Sequence, residues 1–109
     1  MNVIFLPEVR KYFKSLIPVL YEKEYFGFKE TAKKYVDDLF EDIVTNLPIC
    51  LHKSAPSYFD KYGKNMEYAV FRKSKRTQWY VFFRVYRKNG KEIYQVRYMG
   101  NNHIVAQYL

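Results

Sequence analysis

The sequence predicts an α+β fold: an N-terminal strand, a two-helix hairpin and then a three-stranded antiparallel sheet, all in one domain spanning 1–109. Three observations carry this. Asn89-Gly90 lies between two alternating apolar and polar runs, Trp79 to Tyr86 and Glu92 to Met99. Such a dipeptide between such runs is a strong hairpin signal, because a type I′ turn needs positive φ at both central residues. Upstream, apolar residues recur at three- and four-residue spacing, the period of amphipathic helices. Finally, 109 residues of which 49% are apolar suffice for one core but not two.

Asn2 to Leu6 reads as a short apolar strand ended by Pro7. Proline suits the first helical position, and Glu8 beside it complements the helix dipole. Val9, Tyr12, Phe13, Leu16, Ile17, Leu20 and Tyr21 form the stripe of a first helix. Pro18 interrupts that stripe, which predicts a bend near Lys14 to Pro18 or two consecutive short helices. Gly27 separates it from a second helix with Ala32, Tyr35, Val36, Leu39, Phe40, Ile43, Val44 and Leu47 on one side. Asp37, Asp38, Glu41 and Asp42 make its solvated face, and Pro48 ends it. Residues 48–65 read as an irregular connection, Met66 to Arg72 as a strand and Lys73 to Thr77 as a basic turn. After the hairpin, Gly100-Asn101-Asn102 breaks the last strand and leaves a short tail, with a further edge strand as one option.

A two-residue turn sets the hairpin register: Lys88 opposite Lys91, Tyr86 opposite Ile93, Arg84 opposite Gln95 and Phe82 opposite Arg97. Alternation then assigns Trp79, Val81, Phe83, Val85, Tyr94, Val96 and Tyr98 to a core face. Tyr80, Phe82, Arg84, Tyr86, Gln95 and Arg97 fall on the opposite, open face. Arg84 and Arg97 become diagonal neighbours, roughly 7–8 Å apart at Cα.

Charge is uneven. Residues 1–65 hold ten Lys/Arg against nine Asp/Glu, whereas residues 66–109 hold nine against two. A basic half favours a polyanionic partner through phosphate neutralisation and counterion release; the plainer alternative is a soluble, lysine-rich surface. No apolar run approaches the roughly 18–20 residues of a membrane span, and the N-terminus lacks a signal-peptide pattern. One cysteine, Cys50, makes no internal disulfide and fits a reducing, cytoplasmic setting. Without a zinc-type cluster or a glycine-rich phosphate loop, no metal or cofactor is expected.

The order of elements, together with Tyr80 to Tyr86, the turn Lys88-Asn89-Gly90-Lys91, and Val96-Arg97-Tyr98-Met99-Gly100 through His103 to Tyr108, resembles the RelE/ParE superfamily of bacterial toxins from type II toxin–antitoxin pairs. Many members end in an apolar strand with one arginine, a glycine, a histidine and a tyrosine about five residues later. His103 and Tyr108 have that spacing. Two departures stand out: Ile104 follows His103 where an arginine is frequent, and the chain stops at Leu109, leaving no room for a C-terminal helix.

The resemblance implies a cognate antitoxin as partner and, in its ribonuclease branch, cleavage of messenger RNA on the ribosome. In that chemistry an RNA 2′-hydroxyl attacks the neighbouring phosphate, so the protein must hold the backbone, move two protons and stabilise phosphoryl charge. Arg84 and Arg97 suit the phosphate, because guanidinium forks match its geometry. His103 is the proton-transfer candidate, and Tyr108 either orients the nucleophile or donates a proton. Tyr80, Phe82 and Tyr86 are candidates for stacking on splayed bases, and Lys73, Lys75 and Arg76 for more distant phosphates. Each has a duller alternative: a solubilising arginine pair, a surface histidine, a tyrosine that caps the core. His52, in a loop beside Lys53, is a weaker candidate than His103. The competing functional class is a non-enzymatic, ParE-like inhibitor of DNA gyrase; a degenerate, non-toxic antitoxin binder is a third.

Overall fold

The computed structural model describes residues 2–22 and 29–109; Gly27, expected to part the two helices, lies outside them. The chain runs β1 (Val3–Phe5), α1 (Pro7–Glu22), α2 (Lys29–Asn46), β2 (Lys53–Ser54), a 3₁₀ helix (Ser57–Tyr62), β3 (Glu67–Arg72), β4 (Gln78–Lys88), β5 (Lys91–Asn101), α3 (Asn102–Val105) and a closing 3₁₀ turn (Ala106–Tyr108). The α+β class therefore holds, but the sheet is larger than expected. It has five strands in the order β1-β5-β4-β3-β2. The three antiparallel strands read from the sequence are its centre. β1 joins β5 in parallel, Val3 opposite Tyr94 and Phe5 opposite Val96, which makes the sheet mixed. β2 adds two residues beside Glu67 and Tyr68, too short a strand to show any period.

Helix α1 starts at Pro7, with Glu8 in its first turn. It passes through Pro18 as one element rather than two, although Pro18 has no N–H to give the Lys14 carbonyl. Helix α2 carries its apolar stripe inward, with Ala32, Leu39 and Ile43 wholly buried, as is Leu47 just after its end. Each such large aliphatic side chain contributes about 1.5–3 kcal/mol on burial. On its outer face Lys33 pairs with Asp37 and Lys34 with Asp38, at 2.7 and 2.8 Å. These exposed i,i+4 pairs are weak supports.

Both helices pack on one sheet face, against Val3, Phe5, Ala69, Phe71, Trp79, Val81, Phe83, Tyr94, Val96 and Met99. Phe5 stacks on Phe40 at 4.9 Å and meets Phe13 edge-on. Trp79 is buried, as its alternation demands, and its indole N–H donates to the Tyr35 hydroxyl at 2.9 Å.

Asn89 and Gly90 take φ of +53° and +77°, the positive values the hairpin turn requires. From there the pairing follows the expected register to Phe83 opposite Val96, and then slips: Phe82 lies opposite Tyr98, not Arg97. Arg97 is the extra residue of a β-bulge. The slip moves Tyr98 off the core face, where strict alternation had put it, and Met99 takes its place.

Nor is the opposite face open. Phe82, Phe59, Met66 and Val105 form a second, smaller core there, with Tyr58, Tyr62, Tyr68, Tyr80 and Tyr98 packed around it. The 3₁₀ helix that supplies Phe59 falls in the stretch read as irregular. The tail after Gly100 is not an edge strand but the single turn of α3 followed by a 3₁₀ turn. Asn101 starts α3 by accepting from the His103 and Ile104 amides at 2.9 and 3.2 Å, a side-chain N-cap. Asn102 ties α3 to the basic β3–β4 turn: its side chain accepts from the Gln78 amide and donates to the Arg76 carbonyl.

Candidate functional site

The bulge decides where Arg97 points. Its Nε donates to the Tyr62 carbonyl at 2.6 Å, and Nη1 donates to Gln95 Oε1 at 2.5 Å and reaches the Tyr86 hydroxyl at 3.5 Å. These bonds fix the guanidinium on the face that bears the small second core. Nη2 has no hydrogen-bond partner among the described residues, so one side of the fork stays available to a ligand. Gly63, which closes the 3₁₀ helix, makes the approach possible: a Cβ there would lie 2.7 Å from Arg97 Nε. Its φ of +151° also belongs to glycine.

The 3₁₀ helix places a second cation next to this one. Lys61 Nζ donates to the Tyr58 hydroxyl at 3.1 Å and lies 4.2 Å above the Tyr58 ring. Tyr108 stacks on Tyr58 with centroids 3.6 Å apart. Hydrogen bonds from Tyr108 first, then from Lys61, pull the Tyr58 phenol below its ordinary pKa. Tyr108, the donor to Tyr58, is pushed up, and so is Lys61 by its bond to Tyr58. Beside them Tyr62 and Tyr98 stack almost parallel, 4.0 Å apart. Desolvation, reinforced by Tyr62, pushes the Tyr98 phenol up to about 12.

Of these groups, Arg97, Lys61, Tyr62 and Tyr98 border a cleft of about 400 Å³ along the part of β5 that β1 leaves uncovered. Arg97, Lys61 and the Tyr62–Tyr98 pair form one side. Glu8 and Tyr12, one turn apart at the start of α1, contribute to the other. Burial raises the Tyr12 phenol, so it keeps its proton as a donor. The cleft thus combines two cations, an aromatic platform and a carboxylate.

Of the residues singled out from the sequence, Arg97 lies in this cleft. Arg84 is half-buried nearby and sits over the Tyr86 ring at 5.3 Å, so Tyr86 touches both arginines. Tyr108 reaches the cleft only through Tyr58 and Lys61. His103 is exposed on α3 and is not among the cleft residues. Phe82 is fully buried between Phe59, Tyr68 and Tyr98 and has no face to offer a base, which corrects the stacking role expected for it. Tyr80 borders a separate groove with Lys53, Tyr68 and Arg72. Lys73 turns toward α2, its Nζ 5.8 Å from the Tyr35 ring centre. Lys75 and Arg76 stand exposed in the β3–β4 turn beside α3.

His52 donates to the Leu47 carbonyl at 2.6 Å and packs on Phe83, the role of a core histidine. Cys50 is half-buried, and burial pushes its thiol up. Sequence reasoning missed Lys61, Tyr58 and Tyr62. Their one signal is Tyr58-Phe59 followed by Tyr62-Gly63, a short helical spacing ended by glycine.

Among the described residues no group of three or more His, Cys, Asp or Glu is placed to hold a metal, and no helix is long and apolar enough to cross a membrane. Arg87–Glu92, at 3.4 Å, is the one ion pair there within residues 66–109, so the basic excess of that half stays largely unneutralised. No protein-family model matches the chain, and neither the curated proteins nor the solved structures offer a significant match.

Proposed function

We propose that this chain is a RelE/ParE-like toxin of a type II toxin–antitoxin pair, a cytoplasmic endoribonuclease that cuts messenger RNA on the ribosome and is held in check by a cognate antitoxin. The observation that carries the reading is Arg97: an extra strand residue, fixed by main-chain and side-chain hydrogen bonds, with part of its fork left to a ligand beside a second cation and stacked rings. That combination suits a phosphodiester flanked by unstacked bases. The strand, two helices and arginine-bearing final hairpin of the superfamily layout support it, as does the charge of residues 66–109.

In the proposed reaction Arg97 and Lys61 neutralise the phosphoryl oxygens. The RNA 2′-oxygen forms a bond to phosphorus and gives up its proton, while the bond to the 5′ oxygen breaks and that oxygen takes a proton. The products are a 2′,3′-cyclic phosphate and a free 5′-hydroxyl. Lys61 gives the 5′ oxygen its proton and is reprotonated through Tyr58 and Tyr108, while the 2′ proton passes to water; the exposed His103 takes no part. Arg84 holds a neighbouring phosphate and Tyr86 orients both arginines.

Inducible expression tests the reading. Wild type is expected to arrest growth with codon-phased cleavage of messages, and Arg97→Ala to lose both by about two to three orders of magnitude, the range seen when one charge-stabilising donor is removed. Altered DNA supercoiling with intact messages would instead favour gyrase inhibition and sink the ribonuclease reading. No growth effect from either form would leave a non-toxic antitoxin binder.

A further inference from the structure

We infer that the Arg97 cleft is a guanosine pocket in which Glu8 reads the base while Arg97 and Lys61 hold its phosphate. The inference rests on the RNA reading and adds the base to it. Glu8 borders the same cleft as Arg97 and Lys61 but is in none of the ion pairs among the described residues. Its carboxylate oxygens are therefore left to accept from a ligand's donors.

An anionic phosphate is drawn to the cationic side and repelled from the carboxylate. What suits the carboxylate is a neutral edge rich in N–H donors. The half-buried Tyr62 and Tyr98 rings line the same cleft and give it aromatic surface. A volume of about 400 Å³ has room for one nucleotide.

The choice of base follows from donor count. Guanine presents N1–H and an N2 amino N–H in parallel, and both oxygens of one carboxylate can accept from them. Adenine and cytosine each set a single amino donor beside a ring-nitrogen acceptor, which repels the second oxygen. Uracil offers one N–H between two carbonyls. Tyr12, whose hydroxyl keeps its proton, stands one helical turn from Glu8 and can donate to guanine O6. Glu8 also complements the dipole of α1, but that role is blind to the identity of a base.

Calorimetric titration of the whole chain with the four nucleoside 3′-monophosphates reads the inference directly. Guanosine 3′-monophosphate is expected to bind at least roughly tenfold tighter than the other three, the discrimination a bidentate contact gives. Glu8→Gln should bring the four close to equality, and Arg97→Ala should weaken all four alike. A uridine heptanucleotide with or without one central guanosine separates the sources. Guanosine preference in the oligomer places the ligand in RNA; preference in the monophosphates alone makes it a free nucleotide. An unchanged guanosine ratio in Glu8→Gln overturns the inference, as does the absence of any preference in both series. Because Glu8 is exposed at a helix start, equal thermal melts of the variant and wild type verify that the comparison is between folded proteins. Message cleavage in cells without guanosine preference defeats this inference alone. Guanosine binding without cleavage leaves it standing and removes the ribonuclease reading.

Discussion

At Gly63 the backbone occupies φ +151°, and the nearest side-chain atom to its missing Cβ is Arg97 Nε. Gly63→Ala would strain the main chain and push the guanidinium off the Tyr62 carbonyl together. We expect a loss of about 1–3 kcal/mol in urea denaturation and, under the proposed ribonuclease function, the same relief of growth arrest as Arg97→Ala although the arginine remains. A stable, fully active Gly63→Ala protein would mean that the arginine is not positioned in this way. At this scale the sequence was legible in part. Arg97, Arg84 and Tyr86 announced themselves through strand alternation in a basic segment. Lys61 and Tyr58 did not, because the Tyr108 ring that stacks on Tyr58 and the Arg97 that shares the cleft with Lys61 are distant in the chain and come together only through packing. Phe82 misled for a related reason: alternation tells which face a side chain takes, not whether something covers that face.

Among the elements, both long helices and the three central strands were readable because each repeats its period several times. β2, the 3₁₀ helix and α3 are too short to repeat anything, and tertiary contacts hold them. The bulge in β5 was hidden as well, since Val96 and Met99 fit a core face only if one residue between them is not counted. Arg97 is that residue, and the strand alternates without interruption once it is removed. Deleting Arg97 is therefore expected to leave Tyr98 and Met99 on the faces they already take. The fold should survive with a loss of about 1–3 kcal/mol, from the two short hydrogen bonds, and far-ultraviolet dichroism should be unchanged. Collapse of the deletion variant would show that the sheet needs the bulge for its shape.

Across the whole molecule, packed phenols couple stability to alkaline pH. Tyr98 titrates near 10.0 in the unfolded chain and at about 12 in the fold. Its contribution is complete below the first value and is lost as pH rises toward the second. Tyr12, Tyr35 and Tyr94, all raised chiefly by burial, act in the same direction, whereas the lowered Tyr58 opposes them. Denaturation midpoints should fall steadily over that interval, and Tyr98→Phe should make the fall shallower; an identical slope in the variant would contradict the assignment. The parallel pairing of β1 with β5 bears on the birth of the molecule. Val3 finds its partner only at Tyr94, and the face that receives α1 and α2 is built largely from β4 and β5. During synthesis the two helices thus have no sheet to rest on until β4 and β5 have left the ribosome. Gly63 and Arg97 meet later still, so a nascent chain carries no assembled cleft until the last strand is in place.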